Sequence, residues 1–248
     1  MFDRSPLLQH VPGLIHGFTD REGGVSVGRY ATLNMGSKWG DDVTSVAENL
    51  RRVGETAGFD GARLCRIAQV HGVDVHYAGQ VDASTKGDGL WCRRGDGHVV
   101  GVLTADCVPI VVADIGGTVA AVVHSGWRGT AAGIVRHAVS VLVANGVAAA
   151  NLVAAVGPCI SVDAFEVGPE VAEAFAGEFV RTEKGRPHVD LRRAVAAQLM
   201  ASGVEAGHID QVGGCTLREP KKWFSYRRDG AGIGQMLAFA GFHPGEST

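Results

Sequence analysis

The chain has 248 residues, 46% hydrophobic and 20% charged, and its 23 basic and 26 acidic side chains give a formal net charge of −3. This mild acidity argues against general binding to nucleic acid or a membrane surface. A chain of this length buries roughly 70–75% of its unfolded surface and needs neither a disulfide nor a metal merely to fold. No Pro/Ser-rich linker, charge block or low-complexity tract divides it, so residues 1–248 read as a single domain.

The 36 glycines fall mostly between apolar runs, which suggests short strands joined by tight turns. Leu14 to Thr19 reads as a strand leading into the glycine loop Arg21-Glu-Gly-Gly-Val-Ser26. Asp41 and Asp42 can cap a helix over Val43 to Ala57, whose Val46, Leu50, Val53 and Ala57 share a face. Val73 to Tyr77 alternates like a half-buried strand. Three nearly continuous apolar segments follow: His98–Thr104, Val108–Asp114 and Thr118–His124. Such continuity is expected of strands covered on both faces, and Gly116-Gly117 suggests a hairpin between the last two.

Gly129 to Ala144 is expected to form one helix, with a stripe of Ile134, Val135, Ala138, Val139, Leu142 and Val143. Asn151–Val156 returns as a strand and stops at Gly157-Pro-Cys-Ile160. Helices are expected near Pro169–Ala176 and Leu191–Ala201, and late strands at Ile209–Val212 and Gln235–Phe242. The order implies an α/β (α+β) layered sandwich with a mixed β-sheet and flanking helices.

The five cysteines, Cys65, Cys92, Cys107, Cys159 and Cys215, are odd in number and scattered. The start, Met1-Phe-Asp-Arg-Ser-Pro6, lacks the basic and apolar stretches of a secretory signal, and no apolar run reaches the ~20 residues of a membrane span. The expectation is a cytoplasmic protein whose thiols are free or act as ligands.

Two segments carry the chemistry: Thr104-Ala-Asp-Cys-Val-Pro109 and His124-Ser-Gly-Trp-Arg-Gly-Thr130. Each places a ligand or nucleophile where an apolar run meets a turn. With Gln69-Val-His-Gly72 upstream, the chain offers His71, Cys107 and His124. Two histidines and a cysteine match the ligand count of a catalytic zinc site with one open position. They equally match a Cys–His catalytic pair with an auxiliary histidine. Asp106 is a candidate for proton transfer, for orienting a ligating imidazole, or for a structural cap. Arg21 and Arg128 lie in glycine-rich turns and, with Ser125 and Arg227, are the candidate substrate- or phosphate-binding residues. Trp127 is a candidate wall for a purine-sized pocket or a core residue; Asp88, in Gly87-Asp-Gly89, reads first as a turn residue, with an approach to the site as the alternative. No dinucleotide or P-loop glycine motif is present.

The chain resembles the bacterial laccase-domain family, also called multicopper polyphenol oxidoreductase or laccase-domain purine nucleoside phosphorylase. The resemblance rests on Thr19-Asp-Arg-Glu-Gly-Gly-Val-Ser26, Leu33-Asn34, Gln69-Val-His-Gly72, Asp88-Gly89, the two segments above, Gly157-Pro-Cys-Ile160, Phe165-Glu-Val167, Cys215-Thr216 and Phe224-Ser-Tyr-Arg-Arg-Asp229. It implies zinc held by His71, Cys107 and His124, with a pocket beside the metal. It further implies phosphorolysis of adenosine, inosine, guanosine and methylthioadenosine, and adenosine deamination. Two departures stand out: Asp20 where the family often has Thr, and Phe165 where it often has Tyr.

Copper is less expected than zinc, because ten scattered histidines without His-x-His pairs do not suit a multicopper cluster. Three functions follow. The first is a zinc-dependent purine nucleoside enzyme that takes nucleosides and phosphate, with no nucleic acid, membrane or obligate protein partner. The second is a Cys–His hydrolase or amidase, since some relatives are linked to editing peptidoglycan precursors. The third is a non-enzymatic metal- or nucleoside-binding module.

Overall fold

The computed structural model describes residues 1–243. Its strands are β1 (Phe2–Asp3), β2 (Leu14–Thr19), β3 (Leu64–Cys65), β4 (Val75–Tyr77), β5 (Gly89–Arg93), β6 (Val99–Thr104), β7 (Val108–Asp114), β8 (Val119–Ser125), β9 (Leu152–Val156), β10 (Val180–Glu183), β11 (Arg186–Val189), β12 (Ile209–Gln211) and β13 (Met236–Phe242). The helices are α1 (Val43–Ala57), α2 (Trp127–Ala132), α3 (Ile134–Ala144), α4 (Pro169–Ala172), α5 (Leu191–Ala201) and α6 (Tyr226–Asp229). No helix among the described residues is long and apolar enough to cross a membrane.

Two mixed sheets, rather than one, form the centre. The first runs β1-β2-β13-β6-β3 and the second β12-β9-β7-β8-β5-β4. Side-chain alternation explains the layering. Phe18, Val100, Val102, Val111, Ala113, Ala120, Val122, Ala155, Ala238 and Ala240 meet between the sheets. The opposite parity of the second sheet, including Ile110, Val112, Val123 and Val156, packs on Ile134, Ala138 and Leu142 of α3 and Leu191, Val195 and Leu199 of α5. The outer face of the first sheet, through Ile15, Val99, Leu237 and Phe239, packs on Val53 and Ala57 of α1. Every residue of β7 and β8 is buried. Each enclosed Val or Ile contributes about 1.5–3 kcal/mol, so both faces of these strands require cover. They pair antiparallel, with cover from a sheet on one side and helices on the other.

The α1 boundaries follow local chemistry. Asp42 accepts from the Thr44 N–H at one end, and Gly58 closes the other in the left-handed region (φ 85°). The helix expected over residues 129–144 is instead two helices. Gly133 (φ 88°) separates α2 from α3, so the apolar stripe belongs to α3 and leaves α2 to serve the site. The helix expected over 169–176 stops at Ala172, where hydrogen bonds tighten to three-residue spacing (Ala174 N–H to Val171 O, Phe175 N–H to Ala172 O). Elements not foreseen are β1, β3, β5, the β10–β11 hairpin and α6.

The topology puts chemistry at one end of the sandwich. The chain crosses from the first sheet to the second twice: between β3 and β4, and between β6 and β7. His71 lies on the first crossover and Cys107 on the second. His124, near the end of β8, lies beside Pro109 of β7.

Candidate active site and metal centre

One potential ligand atom each from His71, Cys107 and His124 lies within 4.8 Å of the others. Cys107 Sγ is 3.9 Å from His71 Nε2, and the two imidazole rings meet edge to face with centroids 4.8 Å apart. Tetrahedral zinc, with bonds of about 2.0–2.3 Å, spaces its ligand atoms about 3.3–3.8 Å apart. The donor set therefore fits a zinc-sized ion after a contraction of under about 1.5 Å, within reach of side-chain torsions.

Asp88 organises this cluster, a role its Gly-Asp-Gly context does not disclose. It is fully buried. Its Oδ1 accepts from His124 Nδ1 at 2.8 Å and from the His71 N–H at 3.0 Å; its Oδ2 accepts from the Gly72 and Val70 N–H groups at 2.6 and 3.2 Å. The Asp88 carbonyl takes the His124 N–H at 2.7 Å. One carboxylate thus orients the His124 ring, leaving its Nε2 for a ligand, and holds the turn bearing His71. That turn is strained: His71 has φ 61°, a region that costs a non-glycine residue about 1 kcal/mol or more.

Asp106 does a parallel job beside Cys107. Its φ is 91°, its Oδ1 accepts from the Thr216 hydroxyl at 2.5 Å, and its Oδ2 accepts from the Arg227 N–H at 2.6 Å. Neither oxygen bonds an imidazole, so the carboxylate that orients a histidine of the cluster is Asp88 and not Asp106. Asp106 ties the start of α6 to the Cys107 turn.

Two glycines let α2 approach the His71 turn. A Cβ on Gly126 would lie 2.7 Å from His71 Cδ2 and 3.1 Å from Cys107 Sγ. A Cβ on Gly129 would lie 2.9 Å from the Gly72 carbonyl oxygen. The glycines of His124-Ser-Gly-Trp-Arg-Gly129 are thus a packing requirement of the cluster.

The electrostatics are those of an ion pair. Burial alone would push the Cys107 thiol up, but the charge and hydrogen bond of His124, then the hydrogen bond of His71, outweigh it and bring the thiol down to about 6. Burial opposes protonation of His124, yet the Cys107 charge and the Asp88 hydrogen bond carry it up to about 9. Burial also works against an ionised Asp88; the His124 and Gly72 hydrogen bonds prevail and hold it below the usual carboxylate range. In the metal-free protein both shifts run toward a thiolate beside an imidazolium.

A cavity of about 1190 Å³ opens onto the three residues. Trp39, Trp127, Phe165 and Tyr226 supply aromatic walls. Phe165 therefore brings its departure from the family pattern into the pocket. The buried Thr104 hydroxyl, also on the wall, has no hydrogen-bond partner among the described residues. Of the candidate anion-binding residues, Arg128 and Arg227 line this cavity. Arg128 stacks on Trp127 at 4.3 Å; Arg227 lies 5.2 Å over Phe165 and donates to the Glu166 carbonyl at 2.9 Å.

Arg21 and Ser125 are not brought there. The Arg21 guanidinium donates to the carbonyls of Ala31 and Pro220 and stacks on Phe224, 4.5 Å away, which ties the glycine loop to the 220–224 segment. The Ser125 hydroxyl is buried 2.7 Å from that of Thr130, which itself donates to the Gly126 carbonyl. Arg66, which the sequence reading passed over, does line the cavity.

Comparison with known proteins agrees with this architecture. A family model described as multi-copper polyphenol oxidoreductase laccase matches residues 15–243. A Deinococcus radiodurans protein named purine nucleoside phosphorylase is 39% identical over 242 residues, covering 95% of this chain and 92% of the relative. Escherichia coli YfiH, also named a purine nucleoside phosphorylase, is 37% identical and covers 88% and 90%. The crystal structure of YlmD from Geobacillus stearothermophilus superposes with a TM-score of 0.86 at 34% identity, over 94% of this chain and 93% of that one. With a family match over most of its length and relatives alike in sequence and fold, the chain belongs to the multi-copper polyphenol oxidoreductase laccase family.

Proposed function

We propose that this protein is a zinc-dependent purine nucleoside enzyme, acting by phosphorolysis on adenosine, inosine, guanosine and methylthioadenosine and by deamination on adenosine. The observation that carries the reading is the His71–Cys107–His124 cluster, buttressed by Asp88, on the wall of an aromatic-lined cavity. The names of the relatives support the phosphorylase part.

His71, Cys107 and His124 would hold the metal. A thiolate with two imidazoles suits zinc better than a multicopper cluster. Bound zinc supplies Lewis acidity toward water or a substrate oxygen. The chain supplies the rest. Asp88 fixes the His124 ring, so the ligand direction is set before substrate arrives. Trp39, Trp127, Phe165 and Tyr226 offer flat apolar faces for a purine. Asp106 enters as a positioning residue that holds Arg227 beside the cavity.

In phosphorolysis a phosphate oxygen bonds to ribose C1′ while the C1′–N bond breaks. The bonding pair leaves on the purine nitrogen, which takes up the phosphate proton, giving free base and a pentose 1-phosphate. In deamination water replaces the exocyclic amine, which leaves as ammonia. Metal-loaded protein with nucleoside and orthophosphate should release free base, and adenosine alone should give inosine. Cys107→Ala should abolish both. A clean, metal-loaded preparation that turns over no nucleoside refutes the proposal.

The thiolate–imidazolium pair favours a second reading, a Cys–His amidase with Cys107 as nucleophile and His124 as its base. Alkylation of Cys107 that bound zinc blocks supports the first reading. An acyl-enzyme trapped on Cys107 supports the second.

A further inference from the structure

We propose that Arg66, with the side chains of Gln235 and Lys38, forms an oxyanion subsite that holds inorganic phosphate as the attacking co-substrate. The proposal rests on the phosphorylase reading above.

Three arginines line the cavity, and their surroundings differ. Arg227 is committed to the Glu166 carbonyl and the Phe165 ring, and Arg128 is exposed on Trp127. Arg66 is half-buried. Its guanidinium donates once, to the Met35 carbonyl at 2.8 Å, and has no ion-pair partner among the described residues. Burial alone, with no acidic neighbour acting against it, lowers its affinity for its proton. A guanidinium desolvated without a counter-charge is costly. An oxyanion entering the cavity offsets that cost and meets the planar fork of donors still free.

The neighbours are suited to the same ligand. Met35 links Arg66 to Gln235: its carbonyl accepts from Arg66, and its N–H donates to the Gln235 carbonyl at 3.0 Å. The Gln235 side chain then folds over Gly36, where a Cβ would lie only 2.4 Å from Gln235 Oε1. Gln235 and Lys38 also line the cavity. Arg66 and Gln235 therefore bring a positive charge and a side-chain amide together through Met35, and Lys38 adds a second positive charge to the lining of the same cavity. Three carboxylates line the cavity: Asp106 bonds with Thr216 and Arg227, Glu166 pairs with Arg186 at 3.1 Å, and Glu170 is exposed with no ion-pair partner among the described residues. Phosphate bound here would deliver its nucleophilic oxygen to C1′ and its proton to the departing base, as in the balance above.

The test is phosphate-dependent cleavage of inosine by the metal-loaded protein, with titration calorimetry using orthophosphate alone. Arg66→Met should raise KM for phosphate by about tenfold or more, the scale of one lost charged hydrogen-bond pair, and leave KM for inosine within about twofold. Arg66→Lys should recover part of the loss. Gln235→Leu, which keeps Arg66, should raise phosphate KM by about threefold. Circular dichroism should show every variant folded. Folded Arg66→Met with unchanged phosphate KM and unchanged binding overturns the subsite. Weakened inhibition by inosine 5′-monophosphate with phosphate KM intact also overturns it, because the arginine would then read the ester and not the free ion. Wild-type protein that binds orthophosphate through Arg66 yet cleaves no nucleoside keeps the oxyanion subsite and overturns only the phosphorylase reading.

Discussion

Asp88→Asn is the substitution that most directly examines how the site is held. The amide has nearly the shape of the carboxylate but only one acceptor oxygen. If that oxygen stays on His124 Nδ1 and the His71 N–H, the new NH₂ group faces the N–H groups of Val70 and Gly72. Two donors then lose their acceptor in a buried setting, at about 1–3 kcal/mol each. The bonds that remain also lose their charge. A destabilisation of about 3–5 kcal/mol follows, equivalent to a fall in Tm of roughly 6–20 °C for a chain of this size. Zinc affinity should drop about 10- to 100-fold, since the imidazole is no longer oriented.

Thermal melts and chelator competition measure the two effects. The pH dependence gives a further check. Asp88 is held below the usual carboxylate range. Its contribution is therefore full above the unfolded pKa of about 3.9 and is lost as pH falls through the lower folded value. Asp88→Asn should lack that acid limb. A variant melting within about 2 °C of wild type with unchanged zinc affinity would refute the reasoning.

Gly126→Ala should leave the fold intact but lower zinc affinity at least about tenfold, because its Cβ intrudes on His71 and Cys107; chelator competition reads this, and unchanged affinity contradicts it. His16, buried between the sheets, is lowered to about 4 by burial and by the charge of Arg4, and its Nε2 accepts the Ser5 N–H. The unfolded chain binds that proton first, so wild-type stability should be full above about pH 6.5 and decline by about 3 kcal/mol down to pH 4. Denaturant titrations should show the decline, and His16→Gln should lack it. Arg21→Met should lower Tm by several degrees, through loss of the Ala31 and Pro220 bonds. It should leave phosphate KM unchanged; a large rise in that KM would return Arg21 to the site.

Local signals carried much of the fold into the sequence. Strand β2 and helix α1 can be read to the residue, because alternating apolar runs, an aspartate cap and a closing glycine act over a few neighbours. The burial of β7 and β8 on both faces is equally plain in their nearly continuous apolar character. Short β3 and β5 are hidden for the complementary reason: two or five residues become strands only because a longer neighbour already presents its edge. Gly133 shows the limit within a helix, since its left-handed turn serves the fit of α2 against the His71 turn.

At the site, residue types at the ends of apolar runs, together with the family resemblance, pointed to His71, Cys107 and His124 as one set. Their convergence depends on two crossovers between sheets, which no local pattern encodes. Tertiary structure also redistributed the supporting roles. It gave Asp88 the task of orienting His124, drew Arg21 and Ser125 away from the cavity, and brought Arg66 to its wall. A side chain's chemistry is intrinsic and readable from its letter; its partners are set by contacts between residues far apart in the chain. The sequence by itself determined which groups could bind a metal or an anion. Only the packed sandwich decided which of them meet.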